Sequence, residues 1–148
     1  MAALVNGWVK GKKPEKLLLS YHGMPKRNLE LGDPYYCLCQ KTTRLVAEKL
    51  GLSKQDYITT FQSRFGYAEW LQPYTDATLE ELAKSGIRNV AIISPAFSAD
   101  CLETLEELAM ENHEIFMHAG GAHYRYIAAL NDRKDHINAL TQIIRKYF

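Results

Sequence analysis

Short apolar runs alternate with longer segments of helical periodicity along this chain. The first run contains Leu17, Leu18 and Leu19 in succession, which is typical of a central strand buried on both faces. Three later runs are rich in β-branched and aromatic residues and also indicate strands. The predicted strands lie at 16–21, 56–62, 89–94 and 124–130.

Helices are predicted between and after these strands. The first opens with Asp33-Pro34, a capping residue followed by a proline suited to the first helical turn, and ends at Gly51. The others cover 75–85, 102–119 and a final amphipathic segment ending near residue 147, and a helical entry segment is considered for 2–9. The alternating order predicts an α/β fold, a parallel four-stranded sheet flanked by helices on both faces, as one domain over 1–148.

Composition and charge narrow the classes of function. The chain has 18 basic and 17 acidic residues, so no overall positive field attracts nucleic acid. No apolar run approaches the roughly 20 residues that span a bilayer, and the first ten residues lack the pattern of a signal peptide. We therefore expect a cytoplasmic protein with no nucleic-acid partner and at most peripheral membrane association.

The three cysteines, Cys37, Cys39 and Cys101, are expected to be reduced thiols. Cys37 and Cys39 are two residues apart in a predicted helix, so their side chains point to different faces. An iron–sulfur cluster normally needs four cysteine ligands, so none is expected here.

Polar residues follow three of the predicted strands. His22 follows the first strand, Gln62-Ser63-Arg64 ends the second, and Pro95-Ala96-Phe97-Ser98 follows the third. Because the carboxyl ends of parallel strands lie at one edge of a sheet, where ligands usually bind, these groups are expected to converge.

An acidic segment follows the third strand. There is no lysine or arginine between Arg88 and Arg125, whereas six acidic residues fall within that interval. Glu103, Glu107 and Glu111 are spaced by four and share one helix face, where they repel one another. Carboxylates together with an imidazole suit a divalent cation such as Fe²⁺, Mn²⁺ or Zn²⁺.

Simpler interpretations stand beside the metal hypothesis. Asp100 and Glu103 have the spacing of a capping box, and an acidic helix face is usually solvated. A single histidine such as His22 often serves local structure only. The remaining histidines have no ligand-like spacing and are assigned to the surface or to local structure: His113, His118, His123 and His136.

Aromatic residues gather near the same strand ends. Phe61, Phe65, Tyr67 and Trp70 lie at and after the second strand, and Phe97 follows the third. Such rings could form a wall for a flat apolar ligand. Burial of Trp70 and Phe97 in the core or against a loop is the alternative.

Five ordered motifs resemble those of the ferrochelatases, and the resemblance extends over nearly the whole chain. They read SYHGMP, GDPY, TFQSRFG, WLQPYTD and PAFSADCLETL, and a later Leu130-Asn131 also has a counterpart. They lie at 20–25, 32–35, 60–66, 70–76 and 95–105.

The resemblance implies the carboxy-terminal half of an enzyme that inserts Fe²⁺ into a porphyrin, protoporphyrin IX or a related one, to make haem. Family members join two similar halves with the porphyrin between them, so the N-terminal half is an implied partner and the chain alone is expected to be an incomplete catalyst. Fe²⁺ is the implied substrate metal.

The resemblance also implies roles for individual residues. His22 and Glu103 correspond to a catalytic pair that faces across the macrocycle, one taking protons and one delivering metal in an order that remains open. The implied metal contacts are His22, Glu103, Glu107 and Glu111. The implied lining of the porphyrin cleft is Phe61, Gln62, Ser63, Arg64, Trp70, Phe97 and Ser98.

Two alternatives and one departure remain. The chain could bind a metal or tetrapyrrole without turnover, or resemble the cobalt chelatases of the corrinoid pathway, which use a related half-sized fold. The departure is Cys101, which occupies a position where some ferrochelatases carry histidine.

Overall fold

The fold, described for residues 13–147 by a computed structural model, is built on one parallel sheet. Its four strands are β1 (Lys16–His22), β2 (Tyr57–Gln62), β3 (Asn89–Ile93) and β4 (His123–Ile127). They lie in the order β2-β1-β3-β4, and every neighbouring pair is parallel. The predicted α/β fold with a four-stranded parallel sheet is confirmed, whereas the segment 2–9 lies outside the described residues.

The helices are α1 (Lys26–Glu30), α2 (Tyr35–Leu50), α3 (Thr75–Lys84), a π-helix (Glu103–Glu111), α4 (Asn112–His118) and α5 (Lys134–Ile144). The four predicted helical segments are present, and α1 was not predicted. The segment predicted as one helix over 102–119 comprises the π-helix and α4, which follow each other without a break. π-Helical turns are rare and are frequent at functional sites.

One face of the sheet packs against α2. Leu17, Leu19 and Tyr21 of β1 point to this face and are almost fully buried with Cys39 of α2 and Phe61 of β2. The alternation of side chains along a strand explains why every second residue of β1 belongs to this cluster.

The opposite face packs against α3, the π-helix and α4. Leu18, Leu79, Ile92, Leu108 and Phe116 form its buried cluster. Cores on both faces explain the uninterrupted leucines of β1, as expected for a strand covered on both sides.

The alternation of side chains along β1 also places polar residues on the second face. Ser20 and His22 follow Leu18 at intervals of two, so they point toward the side of α3 and the π-helix. Ser20 pairs with Thr60 and His22 pairs with Gln62 in the register with β2. The second face therefore changes from apolar to polar toward the carboxyl ends of its strands.

Within residues 13–147, no helix combines the length and the apolar character needed to cross a membrane.

Candidate active site

His22 ends β1 at the carboxyl edge of the sheet and is exposed. Its Nδ1 lies 2.8 Å from the carbonyl oxygen of Gly23. A carbonyl oxygen only accepts hydrogen bonds, so Nδ1 carries the hydrogen and Nε2 of the neutral ring keeps its lone pair. The Tyr35 hydroxyl donates to the His22 carbonyl at 2.9 Å and holds the backbone in place. His22 thus presents an atom that can bind a metal or accept a proton.

Gly23 allows the chain to turn closely past β2. Its amide donates to the Gln62 carbonyl at 2.7 Å. A Cβ at this position would lie 2.6 Å from that carbonyl oxygen and 3.0 Å from the Trp70 ring. Only glycine fits between the two, so Gly23 contributes to the position of His22.

Glu103 begins the π-helix at the same edge of the sheet. Hydrogen bonds from the Cys101 thiol and from the backbone amide of Glu103 hold the pKa of its carboxyl below the ordinary value, and protonation of the nearby His22 ring lowers it further. Glu103 is therefore ionised at neutral pH. Cys101, the departure from the histidine of some ferrochelatases, supports this carboxylate.

Gln62 lies beneath this pair and is only 2% exposed. Its Oε1 accepts a hydrogen bond from the Ser20 hydroxyl at 2.7 Å, and its Nε2 donates to the Glu103 carbonyl at 2.9 Å. The side chain therefore joins β1 directly to the start of the π-helix.

Ser63 binds the carboxylate of Glu107. Its backbone amide donates to Glu107 Oε1 at 2.7 Å, and its hydroxyl donates to Oε2 at 2.5 Å. Ser63 has a φ of 62°, a left-handed conformation that is uncommon for residues with a side chain. This conformation accompanies the double contact that ties the second turn of the π-helix to the end of β2.

A cavity of about 390 Å³ opens beside these contacts. Among the described residues, Arg64 is the one basic side chain in its wall, and it is bonded to Asp76 and lies 4.0 Å from the ring centre of Tyr74. The wall is otherwise strongly acidic. Its carboxylates belong to Asp76, Glu103, Glu106, Glu107 and Glu111.

The cavity brings together seven of the residues implied by the resemblance, namely Phe61, Gln62, Ser63, Arg64, Glu103, Glu107 and Glu111. Phe61 is 1% exposed and lies at its floor. Within the part of the chain described, no three histidine, cysteine or acidic side chains cluster closely enough to hold a metal ion together. The carboxylates are instead distributed along the helix.

The other four implied residues, namely His22, Trp70, Phe97 and Ser98, are not part of this cavity wall. Trp70 is half-buried against Gly23, and its Nε1 donates to the Phe65 carbonyl at 3.0 Å. Phe97 and Ser98 line a second cavity of about 250 Å³ with His136 at the ends of β3 and β4. Thus Trp70 packs against the loop that contains Phe65, and Phe97 lies in the wall of the second cavity.

Asp100 does not form the capping box considered from its spacing. Its backbone amide donates to Asn131 Oδ1 at 2.8 Å, so Glu103 does not bond that amide, and no side chain in the described part of the chain caps the π-helix. The Asp100 carboxylate instead accepts from four donors on the π-helix, on β4 and in the loop that follows β4. They are Tyr126 Oη, Asn131 Nδ2, the Ala129 amide and Thr104 Oγ1.

Asn112 is a residue of the cavity wall that sequence reasoning missed. It is 2% exposed and donates from Nδ2 to the Glu107 carbonyl at 2.9 Å, while its Oδ1 has no partner among residues 13–147. The signal was available, because Asn112 interrupts a stripe of residues spaced by four that are otherwise suited to burial. That stripe is Thr104, Leu108, Asn112 and Phe116.

The fold and this edge of the sheet define a chelatase-like α/β protein. A solved structure with a similar fold is a putative cobalamin biosynthesis CbiX protein from Marinobacter aquaeolei, with a TM-score of 0.56 and 15% identity, covering 90% of this chain and 97% of that one. The profile of the ferrochelatase family matches residues 1–147, and the chain belongs to that family.

Curated relatives agree with this assignment. The chain is 64% identical to ferrochelatase 2 of Shewanella oneidensis over 99% of its own length and 46% of the relative. It is 63% identical to the ferrochelatase of Shewanella denitrificans and 56% identical to that of Pseudoalteromonas atlantica, covering 90% and 97% of this chain and 41% and 40% of those proteins. The chain thus spans less than half the length of these relatives.

Proposed function

We propose that this chain is the carboxy-terminal half of a ferrochelatase and that, with an N-terminal half, it inserts Fe²⁺ into protoporphyrin IX or a related porphyrin. The observation that carries the proposal is the placement of an imidazole with a free Nε2 and an ionised Glu103 at one edge of the sheet, beside an acidic cavity. Membership of the ferrochelatase family supports the choice of metal and macrocycle.

The reaction requires two pyrrole protons to leave as the metal enters. His22 Nε2 and the Glu103 carboxylate are the groups that accept these protons or contact Fe²⁺. Each of the two groups is chemically able to do either. The Glu103 carboxyl, whose pKa is lowered, is already ionised at neutral pH and loses no proton before the reaction begins. These two residues are the proposed catalytic pair.

The acidic wall provides an approach for the cation. Glu107 and Glu111 continue from Glu103 along the π-helix, and their negative charges raise the local concentration of a divalent metal ion. Glu107 already accepts hydrogen bonds from Ser63, but each carboxylate oxygen has a second lone pair for a metal or its water. Fe²⁺ is therefore proposed to contact His22, Glu103, Glu107 and Glu111 during delivery.

The porphyrin is proposed to lie against the carboxyl edge of the sheet. Phe65 and Tyr67 in the loop after β2 are highly exposed and provide apolar surface there. The sequence-implied lining is proposed to surround the porphyrin, with the buried Gln62 and Phe61 supporting it from beneath rather than touching the ring. The complete lining is Phe61, Gln62, Ser63, Arg64, Trp70, Phe97 and Ser98.

A second half is proposed because the macrocycle needs a covered cleft. The apolar side chains Ile137, Ile143 and Ile144 of α5 are about half exposed, which supports packing against further protein surface. The chain alone is proposed to be an incomplete catalyst. The cytoplasmic location and the lack of an iron–sulfur cluster stay predictions from the sequence.

A chimaera tests the function. This chain would replace the matching region of Shewanella oneidensis ferrochelatase 2, and anaerobic insertion of Fe²⁺ into protoporphyrin IX would be followed by haem absorbance. We expect an active chimaera in which His22→Ala or Glu103→Gln lowers kcat by about 10²–10⁴-fold, the usual contribution of a proton-transfer group. His123→Ala and Glu114→Gln are the matched controls, because both side chains are exposed and lie outside the cavity wall.

The possible results separate the hypotheses. An inactive, folded chimaera would contradict the ferrochelatase proposal and favour a metal-binding or tetrapyrrole-binding domain without turnover. Insertion of Co²⁺ but not Fe²⁺ would favour the cobalt chelatase alternative. Full activity in His22→Ala would remove His22 from the catalytic pair.

A further inference from the structure

Gln62 occupies the junction between the two proposed catalytic residues. It is the register partner of His22 across β1 and β2, and its Nε2 donates to the Glu103 carbonyl. We propose that Gln62 is a positioning residue that sets Glu103 and Glu107 relative to His22. This inference rests on the proposed function and adds a role beyond lining the cleft.

Every hydrogen-bonding atom of the Gln62 amide has a partner. A side-chain amide has one acceptor oxygen and two donor hydrogens. Oε1 accepts from Ser20 Oγ at 2.7 Å, and Nε2 donates to the Glu103 carbonyl at 2.9 Å and more weakly to Glu107 Oε2 at 3.4 Å. Exchanging the oxygen and nitrogen would place two acceptors against each other at Glu103, so this orientation is determined.

The Ser20 end of this link is anchored in the core. The Ser20 hydroxyl lies 2.9 Å from Thr75 Oγ1, which donates to Thr60 Oγ1 at 3.0 Å, and the Ser94 hydroxyl donates to the Ser20 carbonyl at 2.8 Å. All four residues are buried. Strands β1 and β2, the residue that follows β3, and α3 therefore determine where the Gln62 amide lies.

Its burial separates Gln62 from residues that touch substrate. With only 2% of its surface exposed and both polar atoms bonded to protein groups, the side chain presents no exposed polar group to a porphyrin or a metal ion. Its effect must pass through the groups it holds, and partners that orient metal-binding carboxylates commonly change metal affinity when they are lost. The affected groups are Glu103 and Glu107.

Titration of the 148-residue chain with Co²⁺, followed by calorimetry, tests this role. Gln62→Met keeps the length of the side chain but removes both donors and the acceptor. We expect the dissociation constant for Co²⁺ to rise by about 10–100-fold, the range seen when groups that orient metal ligands are lost. Gln72→Met is the matched control, because Gln72 is an exposed glutamine outside the cavity wall, and its dissociation constant should stay within about twofold of that of the unsubstituted chain.

Coupling distinguishes positioning from general destabilisation. If Gln62 acts through Glu103, then Gln62→Met should change Co²⁺ affinity much less in a Glu103→Gln background, because contacting residues are not additive. Equal weakening in both backgrounds would overturn the inference. Ser20→Ala provides a second variant if Gln62→Met does not fold, since it removes the anchor of Oε1 and should weaken binding in the same non-additive way.

Different results would overturn the proposed metal site and the positioning role of Gln62. An unsubstituted chain that does not bind Co²⁺ would overturn the metal site of the proposed function, and the positioning role with it. Binding by the unsubstituted chain that Gln62→Met leaves unchanged would overturn the positioning role alone.

Discussion

The two faces of the sheet both contain buried polar side chains, but these side chains are connected in different ways. On the α2 face, the hydroxyls of Tyr21, Thr43 and Thr59 bond one another at 3.0 Å, and the chain of contacts ends at Gln40. On the opposite face, Ser20 bonds Gln62, which continues to the π-helix. The first, here called the closed network, ends at the half-buried Gln40 of α2, and the second, the open network, reaches the proposed catalytic residue Glu103.

This difference shows how adjacent residues of one strand acquire separate roles. Side chains alternate along β1, so Tyr21 belongs to the closed network whereas Ser20 belongs to the open one, and His22 points to the same face as Ser20. Both networks satisfy polar groups that would otherwise be costly to bury. On the second face the network also bonds the π-helix, which carries Glu103 and Glu107.

Loss of apolar volume on the α2 face should have the largest effect on stability. Leu19 is fully buried there, and Leu19→Ala is expected to lower the free energy of unfolding by about 2–5 kcal/mol, measured by urea denaturation. The folded fraction should still bind Co²⁺ with a dissociation constant within about twofold of the unsubstituted value. A much weaker affinity would show that packing on the α2 face also affects the metal site on the opposite face.

Loss of the charged group of Asp100, beside the π-helix, should lower the free energy of unfolding by a smaller amount. Asp100→Asn turns one of its acceptor oxygens into a donor that faces other donors, and we expect a loss of about 1.5–3 kcal/mol at pH 7. Asp100 joins the loop after β4 to Thr104 in the π-helix, so the variant also tests how that helix is held.

The stability difference caused by Asp100→Asn should depend on pH. Burial raises the pKa of Asp100, but its hydrogen bonds outweigh burial, and the pKa lies below the ordinary value. A carboxyl with a lowered pKa stabilises the fold above the pKa of the unfolded chain, and that contribution disappears as the pH falls through the folded pKa. Urea denaturation at pH 7 and pH 3 should therefore show a smaller difference between the two proteins at pH 3. A difference that is constant with pH would argue against this role of the charge.

The sequence predicts the strands and long helices well because burial on both faces leaves a strong local pattern. The leucines of β1 indicate a central strand, and Gly51, with a φ of 67°, ends α2 where predicted. The π-helix was not predicted, because the spacing of acidic and apolar residues over 103–111 is also that of an ordinary helix. The short helix α1 buries no residue and so leaves no apolar pattern to detect.

The candidate site was predictable to the level of which residues share an edge. His22, Gln62 and Glu103 follow from parallel strands whose carboxyl ends lie together. The separate roles of these side chains could not be predicted from the sequence, because the roles depend on distances across the sheet. The hydrogen bonds between Ser63 and Glu107 and between Gln62 and the Glu103 carbonyl join positions that are distant in the sequence, so their relation appears only in three dimensions.

The smallest expected effect tests the closed network. Tyr21→Phe removes the hydroxyl that bonds Thr43 and should lower the free energy of unfolding by about 1 kcal/mol at pH 8, without changing the affinity for Co²⁺. Burial raises the pKa of Tyr21 to about 12, so its contribution is complete below the ordinary pKa of a tyrosine, near 10, and is lost as the pH rises toward 12.

The phenylalanine cannot ionise, and the other buried tyrosines are common to both proteins. The stability difference caused by Tyr21→Phe should therefore shrink between pH 8 and pH 11 in urea denaturation, while Tyr67→Phe, at a fully exposed tyrosine, should show no difference at either pH. If Tyr21→Phe instead weakened Co²⁺ binding tenfold, the α2 face would also contribute to the site. The separation of a closed from an open network would then have to be abandoned, because a residue of the closed network would have acted on the carboxyl edge.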